Sequence, residues 1–481
     1  AIIFFKLALF FVFWFHGLYI SHFWQHFSQG NMGFSFKSET FQELTEYALK
    51  KAKSLGATDC AVDISEAVGQ SVSVRMGEIE TIEHTRDKSF GVSVFKGKKR
   101  GNASSSDFSL EAIDSAIRAA LDIAKYTAAD KFAGLPDEEN ISKRHRDLDL
   151  YHPWNLSTAK AVEKALTMEQ AAFDVSKHIR NSDGANVSTE SGHFYAANSK
   201  GFKGGYPYSR HSLSVSPIAQ AKKSKDSPMQ RDFWYSSERK AKDLAKPAKI
   251  GAYAAQRALA RLGSKPITTR NCPVIFEAPI AASLVSHYVG AVSGSSLYRK
   301  TSFLLDSLGK QVWAPHITIK EDPFIEGAHG SSPFDEEGVK VKARTVVKKG
   351  VCNGYFLSSY SARKLGMETT GNAGGTHNLI LTSTKTVSGG LDALLKTMGT
   401  GLLVTEMMGQ GVNGVTGDYS RGAFGYWVEN GIIVHPVEEI TIAGNLKDML
   451  ANIVAVGDDA YWRGSKHVGS ILIESMTVAG N

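Results

Sequence analysis

The sequence predicts an α+β fold in two domains, and three observations support this. A chain of 481 residues is too long for one ordinary domain, and 42% hydrophobic with 21% charged residues is the balance of a chain that buries a core. In the first half, amphipathic helices frame short alternating apolar runs, whereas glycine-rich β-like sequence dominates the second half. We therefore expect an N-terminal α+β domain over residues 32–240 and a β-rich α+β C-terminal domain over residues 241–481.

The N-terminal domain should begin with a helix that starts at Ser38 and stops before Gly56, because apolar side chains recur between them at helical spacing. Short alternating runs separated by glycine follow and predict an antiparallel meander. A second helix is expected from Ser109. The order helix, meander, helix is typical of helices packed on one face of an antiparallel sheet. The alternating runs are residues 61–64, 71–74, 79–82 and 91–95.

The domain boundary is placed in the polar, lysine- and serine-rich stretch over residues 222–249. Beyond it, residues 273–276 are predicted to form a strand and residues 279–292 a helix. A hairpin is expected around the Lys349-Gly350 turn, and residues 439–446 are expected to run as a strand into a helix that begins near Lys447.

Residues 1–31 differ from the rest of the chain, since eleven of them are aromatic and Lys6 is their single charged residue. The stretch is about long enough to span a bilayer, which takes roughly 20 apolar residues, but Lys6 and His16 interrupt it. A signal peptide would need a basic start and a small-residue cleavage site. We expect an extraneous or upstream segment outside the fold, with a membrane anchor as the alternative.

Composition argues against several classes of function. The net charge of +7 is modest for this length and is scattered along the chain, so we expect no nucleic-acid partner. Three widely spaced cysteines fit a reducing compartment and form neither a disulfide framework nor a clustered zinc site. No two histidines after Met32 lie within five residues of each other, so no local metal motif is present. The residues themselves therefore suggest no catalytic group and no metal ligand.

Two glycine-rich runs carry more information. Residues 371–378 could cradle an anion, but they lack the Lys-Ser/Thr of a phosphate-binding loop. Residues 407–423 set polar side chains among glycines, which favours pairing with an extended peptide or partner strand. Tight turns within a β-rich fold are an equally good interpretation of the second run.

Several long runs, in the same order, resemble the TldD/PmbA family, also called modulators of DNA gyrase. The resemblance extends over essentially the whole chain from Met32 to Asn481 and leaves out residues 1–31. The runs are FLLDSLGK (303–310), SYSARKLG (359–366), AGG (373–375), GQGV (409–412), TGDYSRGA (416–423) and IAGNLKD (442–448).

The resemblance implies a two-domain PmbA/TldD-like fold and a cytoplasmic TldD–TldE heterodimeric metalloprotease. Such a protease acts on unfolded or short peptides, matures a peptide antibiotic and degrades an antitoxin. Its catalytic TldD-type subunit carries His-Glu-x-x-x-His on a helix and a later cysteine as zinc ligands. At the matching positions this chain has Ser286, His287 and Ala291, and no cysteine follows Cys352. A hydroxyl, a displaced imidazole and a methyl group cannot form that zinc site.

We therefore expect the TldE-type half, with no metal in this chain and zinc in a TldD-type partner. Without that partner the chain could form a homodimer, and no membrane association is expected. The alternatives are a regulatory protein that binds gyrase or an RNA regulator, and an independent hydrolase that uses Ser361 with Lys364, or His287. Polar residues of the matching motifs are candidates for peptide or partner contacts, with scaffold roles equally open. They are Arg299, His377, Asn413, Asp418, Tyr419 and Arg421.

Overall fold

The computed structural model describes residues 33–224 and 227–480, so the aromatic-rich segment 1–31 and the predictions made for it lie outside the described residues. Helices and strands alternate in blocks through these ranges, which confirms the predicted α+β class. Among the described helices, none has both the length and the apolar character needed to cross a bilayer.

An eight-stranded antiparallel sheet forms the first half of the described chain. Its strands are β1 (Asp59–Arg75), β2 (Glu78–Lys96), β3 (Lys99–Ser105), β4 (Ile179–Asn198), β5 (Lys203–Gly204), β6 (Pro207–Gln220), β7 (Met229–Arg231) and β8 (Trp234–Glu238). Their order across the sheet is β3-β2-β1-β4-β6-β7, with β5 paired to β4 and β8 paired to β6.

The four short runs predicted at the start of this sheet are in fact two long strands. β1 and β2 pair along the whole hairpin from Asp59 opposite Phe95 to Arg75 opposite Glu78, with one irregularity between Ser73 and Val74. Gly69, a glycine between the runs predicted over residues 61–64 and 71–74, lies inside β1, where an added Cβ would stand 2.8 Å from the Thr85 hydroxyl. This glycine therefore allows two paired strands to pack closely and does not end a strand.

Helices cover one face of this sheet, as the sequence predicts. Val62 and Val72 of β1 point to that face and lie in the two apolar clusters that the helices complete. Ser109 caps the second helix as expected, accepting a hydrogen bond from the Ala112 N–H. The helices are α1 (Ser38–Ser54), α2 (Leu110–Tyr126), α3 (Thr158–Phe173) and α4 (Pro247–Ala260).

The polar stretch over residues 222–249 contributes to the first sheet, because β7 and β8 both pair with β6. Helix α4, which follows the predicted boundary at 240/241, packs on α3 and β6. The chain thus keeps contact with the first sheet beyond residue 241, and the boundary itself stays a prediction.

Two further sheets make up the second half. The strands are β9 (Arg270–Phe276), β10 (Ile317–Asp322), β11 (Arg344–Lys348), β12 (Val351–Cys352), β13 (Asn378–Ser383), β14 (Thr386–Val387), β15 (Gly401–Met408), β16 (Asp418–Glu429), β17 (Ile432–Asn445), β18 (Ile453–Gly457), β19 (Tyr461–Arg463), β20 (Lys466–Val468) and β21 (Ile471–Ala479). One sheet has the order β12-β11-β10-β13-β20-β19 and the other β14-β18-β21-β17-β16-β15-β9. An additional pairing of β21 with β9 closes strands β9, β15, β16, β17 and β21 into a ring.

The helices of the second half lie between these strands. The predicted hairpin is present as β11 and β12, and the helix expected near Lys447 follows β17 directly. The basic turn that contains Ser361 and Lys364 belongs to a short helix whose first turn is closed by a Ser358–Ser361 capping box. The helices are α5 (Ala278–Ala291), α6 (Gly294–Tyr298), α7 (Ser359–Leu365), α8 (Gly390–Met398) and α9 (Leu446–Ala451).

Candidate functional site

Helix α5 carries the positions at which the family motif would hold a metal. Buried residues on one side of it, among them Leu284, Val285 and Tyr288, join the main apolar cluster of the second half. Pro279 in the first turn suits a helix start, since its missing N–H would be unpaired there in any case. Packing therefore fixes which side of α5 faces the neighbouring strands and which side stays open.

The first and last motif positions of α5 carry serine and alanine, neither of which is a zinc ligand. The Ser286 hydroxyl donates to the Ala282 carbonyl at 3.1 Å, and Ala291 is 4% exposed within the core. Over residues 33–224 and 227–480, no group of three or more His, Cys, Asp or Glu side chains could hold a metal ion. The residues present on α5 thus do not fit a zinc ion, which needs at least three nitrogen, sulfur or carboxylate ligands from the protein.

His287 stands at the position of the motif glutamate and is directed into the protein. Its ring meets the edge of Tyr419 with centroids 5.9 Å apart. The His287 Nε2 atom and the Tyr419 hydroxyl are both buried, and neither has a hydrogen-bond partner among the described residues. Burial, with a smaller effect from the nearby Arg421 charge, lowers the pKa of His287. Burial also raises the pKa of Tyr419 to about 12, so both side chains are neutral near pH 7.

A cleft of about 300 Å³ opens beside α5, and we call it the α5 cleft. Helix α5, the end of β15 and the β7–β8 connection form its walls, so both halves of the chain contribute to it. Its lining mixes arginines, acidic groups, aromatic rings and small polar side chains. The lining residues are Asp232, Phe233, Trp234, Arg257, Pro279, Ile280, Ser283, Thr405, Glu406, Met407, Arg421 and Arg463.

An ionic network supports one wall of the α5 cleft. Arg257 on α4 binds Glu277 through two parallel bonds of 2.8 and 3.1 Å and lies 3.4 Å from Asp232. Arg261 lies 3.5 Å from the same Asp232 and 2.6 Å from Glu406, so it links these two carboxylates. Burial alone would lower the pKa of Arg257, but the Glu277 and Asp232 carboxylates raise it above its ordinary value. The network joins the helix layer of the first sheet to β15 and to the start of α5.

Beyond Val404, one edge of β15 has no partner among the described strands, and this part of β15 lines the α5 cleft. Among the described strands, β9 pairs with β15 only as far as Val404, whereas the opposite edge of β15 pairs with β16 as far as Met408. Thr405, at an irregularity in this pairing, has a buried hydroxyl without a hydrogen-bond partner among the described residues. An open strand edge and a free hydroxyl are features that an extended peptide can use.

The loop between β15 and β16 owes its shape to its own side chains. Asn413 Oδ1 accepts hydrogen bonds from the Val415 and Thr416 N–H groups, and Asp418 accepts from the Thr416 hydroxyl at 2.6 Å. Gly411 has no room for a Cβ, because the Ser420 carbonyl of the same chain occupies that space. Asn413 and Asp418 therefore have visible scaffold roles, and the close approach at Gly411 is made by β16.

The remaining predicted contact residues lie at separate places. Arg421 lines the α5 cleft and donates from Nε to the Gly409 carbonyl at 3.1 Å. Arg299 is exposed at the end of α6, where Nε donates to the Tyr298 hydroxyl. His377 lies at another cavity, between the two halves of the chain. The structure thus brings Arg421 and Tyr419 to the α5 region and leaves Arg299 and His377 away from it.

The sequence does not predict the ionic network. Its members are Arg257, Arg261, Asp232, Glu277 and Glu406. A weak signal was present, because the two arginines are four residues apart and so share one side of a helix. Their acidic partners come from three distant segments, which spacing along the chain cannot connect.

The chain is similar to known metallopeptidases over most of its length. Family models described as PmbA/TldA metallopeptidase domain 1, central domain and C-terminal domain match residues 60–124, 151–262 and 269–480. The chain is 45% identical over 447 residues to Metalloprotease PmbA of Escherichia coli O157:H7, which covers 92% of this chain and 97% of that protein.

Solved structures share the fold. A protein of Bacteroides thetaiotaomicron described as a modulator of DNA gyrase is 26% identical, with a TM-score of 0.86 over 92% of this chain and 99% of its own. TldE from Thermococcus kodakarensis is 20% identical, with a TM-score of 0.79 over 92% of this chain and 100% of its own. The likeness to the latter is one of fold alone.

Proposed function

Because this chain belongs to the PmbA/TldD family of metallopeptidases, we propose that it is the TldE-type, non-catalytic subunit of a heteromeric TldD–TldE zinc metalloprotease. The complex would be cytoplasmic and would cleave unfolded or short peptides, as in peptide-antibiotic maturation and antitoxin degradation. The observation that carries the proposal is the chemistry of α5, where Ser286, His287 and Ala291 replace the zinc-binding motif.

The zinc ion belongs to the TldD-type partner in this proposal. Ser286 already donates to the main chain, Ala291 has no donor atom, and His287 Nε2 is buried beside Tyr419. No hydrolytic step is therefore assigned to this chain. Its part is to complete a substrate chamber and to orient the peptide.

The α5 cleft is the part of this chain that suits peptide binding. The β15 edge beyond Val404 offers main-chain groups that can pair with an extended substrate, and Thr405 adds an unpaired hydroxyl. The Arg257 network keeps this edge beside α5 without a bound ligand. A preformed edge reduces the ordering that peptide binding requires.

The decisive experiment measures zinc and peptide hydrolysis for the full chain alone, for a TldD-type partner alone and for their mixture. We expect no zinc and no hydrolysis with this chain alone, and about one zinc per heterodimer with full hydrolysis in the mixture. A partner whose motif glutamate is changed to glutamine serves as the control and should bind this chain without hydrolysis. Stoichiometric zinc and hydrolysis in this chain alone would contradict the proposal, and co-purification with gyrase in place of a TldD-type protein would favour the regulatory alternative.

Filling the α5 cleft should slow peptide hydrolysis by the heterodimer. Ser283 lines the cleft, and a Ser283→Trp variant fills it with an indole ring. We expect kcat/KM of the heterodimer to fall about tenfold or more, because a misplaced substrate loses the orientation on which hydrolysis depends. Zinc content should not change, since the metal lies in the partner.

The matched control is Thr397→Trp, which places the same ring on the exposed side of α8, a helix that does not line the α5 cleft. This variant should keep the activity of the unmodified heterodimer. Equal activity of the Ser283 and Thr397 variants would show that peptides do not pass through the α5 cleft.

A further inference from the structure

A second cavity, of about 670 Å³, lies between the first sheet and the loops of the second half, and we call it the interdomain cavity. Strands β1 and β4 line one side, and residues 329–336 and 373–377 line the other. The glycine-rich run singled out in the sequence therefore borders this cavity. Small-molecule sites have this size and often lie between domains.

Aromatic rings form one wall of the interdomain cavity. Phe194 and Tyr206 meet edge to face with centroids 4.7 Å apart, and Phe334 contacts Tyr206 at 5.7 Å and Phe202 at 4.9 Å. The Tyr206 hydroxyl lies 3.2 Å from that of Ser332, so its polar end has a partner. The wall presents fixed apolar surface that suits an aromatic or branched aliphatic group.

Arg239 brings a positive charge to the interdomain cavity without a neutralising carboxylate. Its three nitrogens donate to the carbonyls of Ala328, Ser209 and His329 at 3.1–3.2 Å. Within the described chain, no acidic oxygen lies within ion-pair distance of it. Neutral carbonyls solvate a guanidinium but leave its charge uncompensated, and arginine has more N–H donors than these bonds use. Burial lowers the pKa of Arg239, as expected for an unpaired cation.

His377 supplies a second oriented polar group. Its Nδ1 lies 3.1 Å from Glu321, and its main-chain N–H donates to the same carboxylate oxygen. Glu321 also accepts from Arg344, which keeps the carboxylate ionised and fixes the Nδ1–H tautomer of His377. Nε2 has no hydrogen-bond partner among the described residues, so it is the ring atom available to a ligand in the cavity.

We propose that the interdomain cavity binds a small carboxylate ligand with an aromatic or branched apolar body. The carboxylate would pair with Arg239, and the apolar body would pack on the Phe194–Phe334 wall. Three carboxylates also line the cavity. Asp63 and Glu336 are exposed, so water and salt screen their repulsion. Asp335 is buried, and its carboxylate oxygens accept hydrogen bonds from the main-chain N–H groups of Glu337, Val339 and Ala373. The site is separate from the α5 cleft, and the proposal does not depend on the zinc-free role proposed above.

The test is isothermal titration calorimetry of the full chain with 3-phenylpropionate and with 3-phenylpropionamide, which lacks the charge. We expect the carboxylate to bind at least about tenfold more tightly than the amide, because a charged hydrogen bond to arginine is lost. L-Phenylalanine and Gly-Gly-Phe present the same carboxylate as a free amino acid and as a peptide end. The tighter of these two identifies the source of the natural ligand.

Two variants locate the site. Arg239→Gln should weaken 3-phenylpropionate binding at least about tenfold, and Ala196→Leu should do so by filling the cavity without touching the Arg239 contacts. Arg210→Gln is the matched control, because Arg210 lines the neighbouring cavities but not this one. The affinity of this variant for 3-phenylpropionate should be unchanged. Equal binding of acid and amide, absence of binding at millimolar probe, or binding that survives both Arg239→Gln and Ala196→Leu would overturn the proposal.

Discussion

A Glu321→Gln variant is expected to lose at least about 3 kcal/mol of the free energy of unfolding at pH 7, measured by urea denaturation. Glu321 is 1% exposed and accepts hydrogen bonds from His377, Asn372 and Arg344. A glutamine amide would turn one acceptor into a donor that faces these N–H groups. It would also leave the Arg344 guanidinium buried without its counter-charge.

The same variant should change how stability depends on pH. Burial alone would raise the pKa of Glu321, but the His377 hydrogen bond and the Arg344 charge outweigh it and lower the pKa to about 2 from an ordinary 4.5. A carboxyl with a lowered pKa stabilises the fold fully above its unfolded value, and this stabilisation is lost as the pH falls towards the folded value. The difference between the natural chain and Glu321→Gln should therefore be constant above about pH 5 and shrink between pH 4.5 and 2.

Glu46→Gln is the matched control, because Glu46 forms an ion pair with Lys203 at the surface. Solvent screens that pair, so the same chemical change should leave the urea midpoint unchanged, both at pH 7 and in the acid range. A Glu321→Gln chain as stable as the Glu46→Gln chain, with no acid-dependent difference, would show that the buried carboxylate is not the acceptor of these bonds.

Local signals account for the parts of the fold that the sequence predicted well. Helix α1 begins at Ser38 and ends before Gly56 as predicted, and α2 begins after Ser109 as predicted, because the apolar spacing of both helices and the Ser109 cap of α2 are local to each segment. Strand β1 was predicted as two runs because Gly69 looks like a turn when its partner strand is unknown. The reason for that glycine is the Thr85 side chain on β2, which the chain brings close only after the hairpin forms.

The candidate site divides in the same way. The resemblance of short runs placed Ser286, His287 and Ala291 on one helix, and that helix is α5. The α5 cleft required more, because its walls come from β7–β8, α4 and β15, which are far apart in the chain. Residues 222–249, which contain β7 and β8, look like a polar linker in the sequence. These two strands are short, and they are stable only because they pair with β6.

The Arg257 network follows from this long-range assembly and joins the two halves of the chain. Glu277 is 8% exposed and Asp232 is 7% exposed, so neither carboxylate can rely on water if its arginine is removed. Arg257 serves both of them and also lies over the Trp234 ring at 5.3 Å. One side chain therefore neutralises two buried charges and packs on an aromatic ring.

Replacing Arg257 by methionine is expected to lower the free energy of unfolding by about 3–5 kcal/mol, the usual result of removing one partner of a buried ion pair. Methionine keeps most of the side-chain volume, so the loss reflects the stranded Glu277 charge and not a cavity. Urea denaturation followed by tryptophan fluorescence measures this loss of stability, since Trp234 lines the α5 cleft beside Arg257.

A double variant separates the charge from the packing. Adding Glu277→Gln to Arg257→Met removes the stranded charge and should restore at least about half of the lost stability, giving a favourable coupling in a double-mutant cycle. Arg231→Met, which breaks an exposed pair with Asp183, is the matched control and should leave stability nearly unchanged. If Arg257→Met were as mild as Arg231→Met, or if the two changes were simply additive, the ionic network would not be what holds the wall of the α5 cleft in place.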